Sequence, residues 1–210
     1  MSYIYAYNFS YDYLVQVPGS ALHRGSRQKE SALSRIPCAL MNMKAVHIGE
    51  GIWMGNILSL QDLPSSFTVI SLLTEEKLVH LSKRLMQDNR RQINWSLPDK
   101  SSSAFLCNDL IQILNVMDDS RPILVHCARG VSRSAAVCAA WFISRHHCST
   151  LQDAMVLVRQ ATPTASPNLG FIAALKAIER NDGDVEAALH QWTAKHEVGH
   201  KTNKYSLANH

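Results

Sequence analysis

The segment 123–144 constrains the fold more strongly than any other part of the chain. It begins with the short apolar run Ile123–Cys127, passes through a loop that contains Gly130, and reaches Ala135–Ile143, which has almost no polar face. A helix that is apolar on all sides has to be buried. The sequence therefore predicts a strand, a short loop, and a buried central helix that begins near Ser132.

Other apolar runs of strand length alternate with helical patterns along the chain. The runs "FTVISLL" (67–73) and "INWSLP" (93–98) predict two further strands. The predicted helices are one opened by Thr74 with the stripe Leu78, Leu81 and Leu85, one carrying Leu106, Leu110, Ile113, Leu114 and Met117, one opened by Thr150, one opened by Ser166 with Pro167 in its first turn, and an amphipathic helix over 184–196. This alternation predicts an α/β fold with a central, mostly parallel sheet flanked by helices.

The length and composition predict one main domain. A chain of 210 residues with 46% hydrophobic content can bury about 70% of its unfolded surface without disulfide or metal support. We expect this domain over 45–182, followed by a C-terminal helix and polar tail over 183–210. The segment 1–44 has an uncertain role. It contains five of the six tyrosines, and it is either an aromatic arm packed on the domain or a partner-binding or phosphorylated tail.

The cysteines and the charge distribution argue against several classes of protein. The five cysteines include no C-x-x-C pair, so we expect no disulfide framework, metal site or cofactor, and a reducing, cytoplasmic compartment. There is no run of about 20 apolar residues and no signal-peptide pattern, and Ser2 stands where myristoylation needs glycine, so no membrane association is expected. The net charge of +4 is scattered, which argues against nucleic acid as a partner.

The loop "CARGVSR" (127–133) has the residues needed to bind and attack an oxyanion. A loop that ends at a helix N-terminus directs backbone N–H groups towards one point, and the same positive field favours the thiolate form of Cys127. Arg133 can hold two phosphate oxygens with its forked donors, Gly130 lets the backbone turn closely, and Ser134 can donate to the sulfur. The alternative is a buried cysteine without a chemical role. The predicted phosphate-binding residues are Ala128, Arg129, Gly130, Val131, Ser132 and Arg133.

The pattern His-Cys-x5-Arg-Ser at 126–134 resembles the signature of the protein tyrosine phosphatase superfamily, and the small size resembles its dual-specificity branch. "GIWMGN" (51–56) and "SPNLGF" (166–171) are similar to two further family segments. The resemblance implies a protein tyrosine phosphatase-like fold and a metal-free phosphatase that forms a phosphocysteine. It also implies that Asn168 braces the phosphate loop and that His126 orients the loop and tunes the thiolate. The implied substrate is a phosphorylated protein.

The family supplies a general acid from a loop some thirty residues before the cysteine, and Asp99 stands 28 residues before Cys127. To act as an acid it needs a raised pKa, which a bound phosphate dianion would provide. The alternative for Asp99 is a helix N-cap or turn residue. We expect Asp118 and Asp119 to be solvated residues of a turn, and Asp109 to lie on a helix.

Several features leave the substrate and regulation open. Arg129 either recruits a second acidic group or pairs with a surface carboxylate, whereas Ala128 and Val131 stand where lipid-directed relatives carry basic residues. Arg159 is either a helix-end salt-bridge partner or an outer phosphate contact, and Thr162 makes a second phosphate pocket doubtful.

The competing functions are a phosphopeptide-binding pseudophosphatase and the same chemistry on a non-protein phosphate ester. A redox role is possible in which Cys38, Cys107 or Cys138 resolves an oxidised Cys127, although structural thiols are favoured. The oligomeric state stays open.

Overall fold

The computed structural model describes residues 45–61, 63–74, 91–102 and 104–205. The N-terminal segment 1–44, the predicted helix after Thr74 and the last five residues of the tail lie outside the described residues.

The described residues form an α/β fold around a mostly parallel sheet, as the sequence predicts. The strands are β1 Val46–Gly49, β2 Ile52–Gly55, β3 Thr68–Ser71, β4 Gln92–Asn94 and β5 Ile123–His126. Their order across the sheet is β1-β2-β5-β3-β4, and β1 pairs antiparallel with β2 while the other pairs are parallel. β5, whose four residues are all buried, therefore lies at the centre, where both of its edges are paired.

Helices flank the sheet. Their bounds are a 3₁₀ turn Ile57–Leu60, α1 Asn108–Asp119, α2 Arg133–Ser144, α3 Leu151–Ala161, α4 Leu169–Arg180 and α5 Val185–Tyr205. Every residue of α2 is buried, which confirms the predicted central helix. None of the helices within the described residues is long and apolar enough to cross a membrane.

The parallel register brings the site residues to one edge of the sheet. The carboxyl ends of β2, β3 and β5 lie side by side, because Gly55 and Ser71 both pair with His126. The Leu72 N–H donates to the His126 carbonyl at 2.9 Å. The chain therefore leaves β5 at Cys127, in the position where open α/β sheets bind their ligands.

Two predicted helix boundaries are wrong. α4 begins at Leu169 and not at Ser166, because the Asn168 side chain caps it by accepting a hydrogen bond from the Phe171 N–H at 3.1 Å. The Ser166 N–H instead donates to the Val131 carbonyl at 2.8 Å, which keeps this segment extended along the loop. The last helix does not end near 196 but continues to Tyr205. The predicted opening of α3 by Thr150 is confirmed, since its Oγ1 accepts from the Asp153 N–H at 3.1 Å.

Asp118 and Asp119 belong to α1 and not to the turn predicted for them. Asp118 accepts a hydrogen bond from Trp141 Nε1 at 2.8 Å and pairs with Arg145 at 2.6 Å. Its carboxylate therefore joins α1 to α2, away from the carboxyl edge of the sheet. Asp109 lies on α1, as predicted.

Candidate active site

The signature loop, Cys127–Arg133, connects β5 to α2. Cys127 is the first residue after the strand and is 2% exposed, and Arg133 is the first residue of the helix and is 5% exposed. A buried thiol and a buried guanidinium thus lie at the two ends of one short loop.

Gly130 gives the loop its shape. Its φ of +74° is a left-handed conformation that favours glycine. A Cβ there would also lie 3.0 Å from the carbonyl carbon and oxygen of Gly55 at the end of β2. The resulting turn directs the Gly130 N–H at Cys127 Sγ, over 3.2 Å.

The surroundings of Cys127 favour the thiolate. Ser134 Oγ lies 3.4 Å from Sγ, within hydrogen-bonding distance. Burial raises the pKa of the thiol, but the hydrogen bonds from Ser134 and Gly130 and the positive charge of Arg133 outweigh burial and lower the pKa below its usual value. A lowered pKa is the property that a cysteine nucleophile needs.

Arg133 is held by backbone carbonyls. Its Nη1 donates to the Leu72 carbonyl at 2.8 Å and to the Leu97 carbonyl at 3.3 Å. Its Nε is buried and has no hydrogen-bond partner among the described residues, and it lies 3.9 Å from Asp99 Oδ2. The guanidinium therefore retains a donor beside the thiol and the carboxylate.

Asp99 lies over the signature loop and does not cap a helix. Its Oδ1 accepts from Ser132 Oγ at 2.6 Å and from Asn168 Nδ2 at 3.0 Å. Burial raises the pKa of this carboxyl, but the two hydrogen bonds and the charges of Arg133 and Arg129 outweigh burial and hold the pKa below its usual value. The protein alone thus favours the carboxylate, and a general acid at this position would need the negative charge of a substrate to raise its pKa.

Asn168 connects the loop, the carboxylate and α4. Its backbone N–H donates to Ser132 Oγ at 3.2 Å, and its side chain bridges Asp99 and the Phe171 N–H. This geometry is what a residue that braces the signature loop requires.

His126 is fully buried beneath the loop. Neither of its ring nitrogens has a hydrogen-bond partner among the described residues. Burial and the positive charge of Arg133 lower its pKa to about 4 and outweigh the nearby Cys127 backbone, which acts to raise it. The ring is therefore neutral at physiological pH and is a poor candidate for a base.

The remaining candidates are arranged around this centre. Arg129 is exposed and forms no ion pair with the described residues, whereas Ala128 and Val131 are half-buried. Arg159 Nε donates to the Ala165 carbonyl at 3.1 Å, in the segment before α4. Cys138 is completely buried in α2, and burial strongly raises the pKa of its thiol.

Sequence reasoning missed two contacts that position the site. The carbonyls of Leu72 and Leu97 bind Arg133 through backbone atoms, for which no sequence signal exists. The second contact is made by Gly170, in the first turn of α4, which packs on the backbone of Ser101 in the segment that follows Asp99. A Cβ at Gly170 would lie 2.6 Å from the Ser101 carbonyl carbon and 2.8 Å from its Cα. The glycine in "SPNLGF" is the one sequence feature that indicates this close backbone contact.

Comparison with known proteins gives a consistent family. The family model "Dual specificity phosphatase, catalytic domain" matches residues 65–181. Mouse Dual specificity phosphatase 28 is 47% identical over 62 residues, which are 30% of this chain and 37% of that protein. The match thus spans little more than a third of this relative's own length.

The solved structures that are similar in fold include the following two crystal structures. The human tyrosine phosphatase-like serine/threonine/tyrosine-interacting protein gives a TM-score of 0.57 at 21% identity, over 66% of this chain and 97% of that one. DUSP15 gives a TM-score of 0.58 at 18% identity, over 71% of this chain and 97% of that one. At these identities, the likeness is one of fold.

We expect the Cys127 thiol to react with iodoacetamide with a pH midpoint below about 8.5, the usual value for cysteine. Ser134→Ala should raise this midpoint, because it removes the hydrogen bond that most lowers the pKa. The two midpoints are measured from alkylation rates across a range of pH, with the modified residue identified by mass spectrometry. Ser144→Ala on the same helix is the matched control, since Ser144 Oγ donates to the Trp141 carbonyl. Equal midpoints in the wild type and Ser134→Ala would contradict the assignment.

Acid should destabilise the fold through His126. Its folded-state pKa of about 4 lies below the usual value of about 6.5, so the unfolded chain takes up the proton first and stability is lost as pH falls from 6.5 towards 4. Linkage gives a loss of about 2 kcal/mol between pH 8 and pH 5. Urea unfolding should show this loss in the wild type and less of it in His126→Gln. The exposed His190 provides the control, His190→Gln, and an identical pH dependence in His126→Gln would refute the prediction.

Gly170→Ala should destabilise the protein by about 1–3 kcal/mol, because the new methyl group overpacks against Ser101. Without that contact, alanine in a helix would stabilise by up to about 1 kcal/mol, so the sign of the change is decisive. The expected fall in Tm is about 2–4 °C per kcal/mol. Leu169→Ala, at the exposed neighbouring position, is the control. A raised Tm in Gly170→Ala would contradict the prediction, because it would show that the Ser101 segment moves away from the new methyl group at little cost.

Proposed function

The chain belongs to the dual specificity phosphatase catalytic-domain family, and we propose that it hydrolyses phosphotyrosine and phosphoserine or phosphothreonine monoesters of proteins through a phosphocysteine. The observation that carries the proposal is a buried, hydrogen-bonded Cys127 thiol with Arg133 at the other end of its loop and Asp99 3.9 Å from Arg133 Nε. The catalytic domain is proposed to occupy 45–182.

The phosphate would be bound by the backbone N–H groups of Ala128–Ser132 and by the Arg133 guanidinium. Loop N–H groups that precede a helix N-terminus form an anion site, and a guanidinium adds charge-assisted hydrogen bonds. The unpartnered Nε of Arg133 supports this role, because it is a buried donor that the described residues leave unused.

In the first step, the Cys127 thiolate attacks phosphorus while the bond from phosphorus to the ester oxygen breaks. Asp99 gives its proton to that oxygen, so that the leaving group departs as a neutral alcohol or phenol. The dianionic phosphate bound to Arg133 opposes the carboxylate of Asp99 and raises the pKa that Ser132 and Asn168 otherwise lower.

In the second step, a water molecule attacks the phosphocysteine. The Asp99 carboxylate takes the proton from this water, the oxygen bonds to phosphorus, and the P–S bond breaks. Ser134 Oγ, 3.4 Å from Sγ, stabilises the departing thiolate, which restores the starting state with release of inorganic phosphate.

The rim of the site supports a polypeptide substrate. Leu169 is 81% exposed directly beside Asn168, and Arg129 is exposed at the signature loop. An apolar contact and a cation on the rim suit residues that flank a phosphorylated side chain.

The pH dependence of aryl phosphate hydrolysis in EDTA tests this mechanism. The hydrolysis rate of the wild type should follow a bell-shaped pH profile with its maximum at acidic pH, and Cys127→Ser should be inactive. Asp99→Asn should be slower by about 10² or more, and its rate should fall less steeply on the alkaline side of the profile. Ser132→Ala should move the alkaline limb to higher pH, because it removes a hydrogen bond that lowers the Asp99 pKa. Phosphotyrosine and phosphothreonine peptides of one sequence test dual specificity. A wild type that binds these peptides without hydrolysing them would be a recognition module, and the proposal would be wrong.

A further inference from the structure

A groove of about 490 Å³ lies between α4 and α5, apart from the signature loop. Its size is within the range of sites that bind a ligand or a peptide side chain. The lining residues are Ala173, Lys176, Ala177, Arg180, Asn181, Ala188, Gln191, Trp192 and Lys195.

The groove exists because small side chains separate two packed helices. α5 packs on the core through Val185, Ala188, Leu189 and Trp192, which recur at helical spacing. Alanines at 173, 177 and 188 leave space beside the half-buried Trp192. The groove therefore offers an apolar floor that an aliphatic or aromatic side chain can fill. α5 also lies beyond residues 65–181, so half of the groove is outside the family-matched stretch.

The rim of the groove is basic. Lys176 and Arg180 are exposed one helical turn apart on α4, and Lys195 is exposed on α5. Among the described residues, none of these three cations forms an ion pair within 4.0 Å, and no acidic side chain lines the groove. An apolar floor, surrounded by cations that the described residues leave unpaired, is complementary to an apolar anchor flanked by carboxylates.

We propose that this groove binds an acidic segment of the phosphoprotein substrate, one that carries an aromatic or aliphatic anchor between Asp or Glu residues. The anchor packs against Ala177 and Trp192, and the carboxylates pair with Lys176, Arg180 and Lys195. The assignment of this segment to the substrate rests on the proposed phosphatase function.

The distance along α4 sets the spacing of such a substrate. Lys176 and Arg180 follow Asn168 by eight and twelve residues, which correspond to roughly 12 and 18 Å along the helix axis. An extended peptide covers about 3.3 Å per residue. At least roughly four to six residues must therefore separate the phosphorylated residue from the acidic residues that flank the anchor.

Binding of a fluorescein-labelled, unphosphorylated peptide to the full chain tests the groove directly. The peptide carries one phenylalanine between glutamates, and its twin carries glutamines instead. We expect the glutamate peptide to bind and the glutamine twin to bind at least about tenfold more weakly. Lys176→Glu with Arg180→Glu should weaken binding of the glutamate peptide by about tenfold or more, and Ala173→Leu should weaken it by filling the groove without a change of charge. Arg91→Glu with Arg121→Glu, two exposed positions outside the groove, changes the net charge by the same amount and is the control.

Kinetics connect the groove to the substrate. A phosphotyrosine peptide with the glutamate anchor six residues away should have a higher kcat/KM than its glutamine twin, and the double variant should abolish this difference while hydrolysing aryl phosphate at the wild-type rate. Equal binding of the two unphosphorylated peptides, or unchanged binding in the double variant, would overturn the inference. Binding to phosphatidylserine vesicles without peptide binding would also overturn it, because the cations would then face lipid. A wild type that binds the glutamate peptide but hydrolyses no phosphate ester would contradict the phosphatase proposal alone.

Discussion

The site depends on a buried positive charge. A guanidinium that leaves water requires acceptors or counter-charge in the protein, since an uncompensated buried ion is strongly unfavourable. Arg133 obtains them from the Leu72 carbonyl after β3, from the Leu97 carbonyl, and from the nearby Asp99 carboxylate. One cation thus joins the edge of the sheet, the start of α2 and the segment that carries the acid. After the hydrogen bonds from Ser134 to Cys127 and from Ser132 and Asn168 to Asp99, the same charge also lowers the pKa values of Cys127 and Asp99, so it contributes both to the anchoring of the fold and to the electrostatics of the site.

Much of this arrangement could be predicted from local sequence. β5, the signature loop and α2 follow from an apolar run, a glycine and a helix without a polar face, because each pattern depends on a physical property of consecutive residues. The start of α4 was misplaced because Ser166 and Asn168 are both good caps, and the hydrogen bond from Ser166 N–H to the Val131 carbonyl, a tertiary contact, decides between them. Likewise, the polar composition after 196 indicated a tail, although α5 continues to Tyr205.

The charge state of Asp99 shows a different limit. The separation from Cys127 in sequence made Asp99 the candidate acid, but it could not show that Ser132, Asn168 and two arginines all stabilise its carboxylate. Those partners come from distant segments, so their combined effect requires the folded geometry. The resulting free energy favours the ionised form, which would suit the water-activating step proposed for Asp99. The proposed acid step would require the protonated form, which the charge of a bound substrate could favour.

The contact between Gly130 and Gly55 has a consequence for the dynamics of the loop. The end of β2 forms the wall behind the signature loop, with no side chain between the two backbones. β2 in turn is paired on both sides, with β1 and with β5. The backbone of β2 therefore blocks movement of Gly130 in that direction, and it braces the loop from behind without any side chain. A side chain at position 130 would press on the end of β2, so a change in the loop would be transmitted to a strand that is paired on both sides.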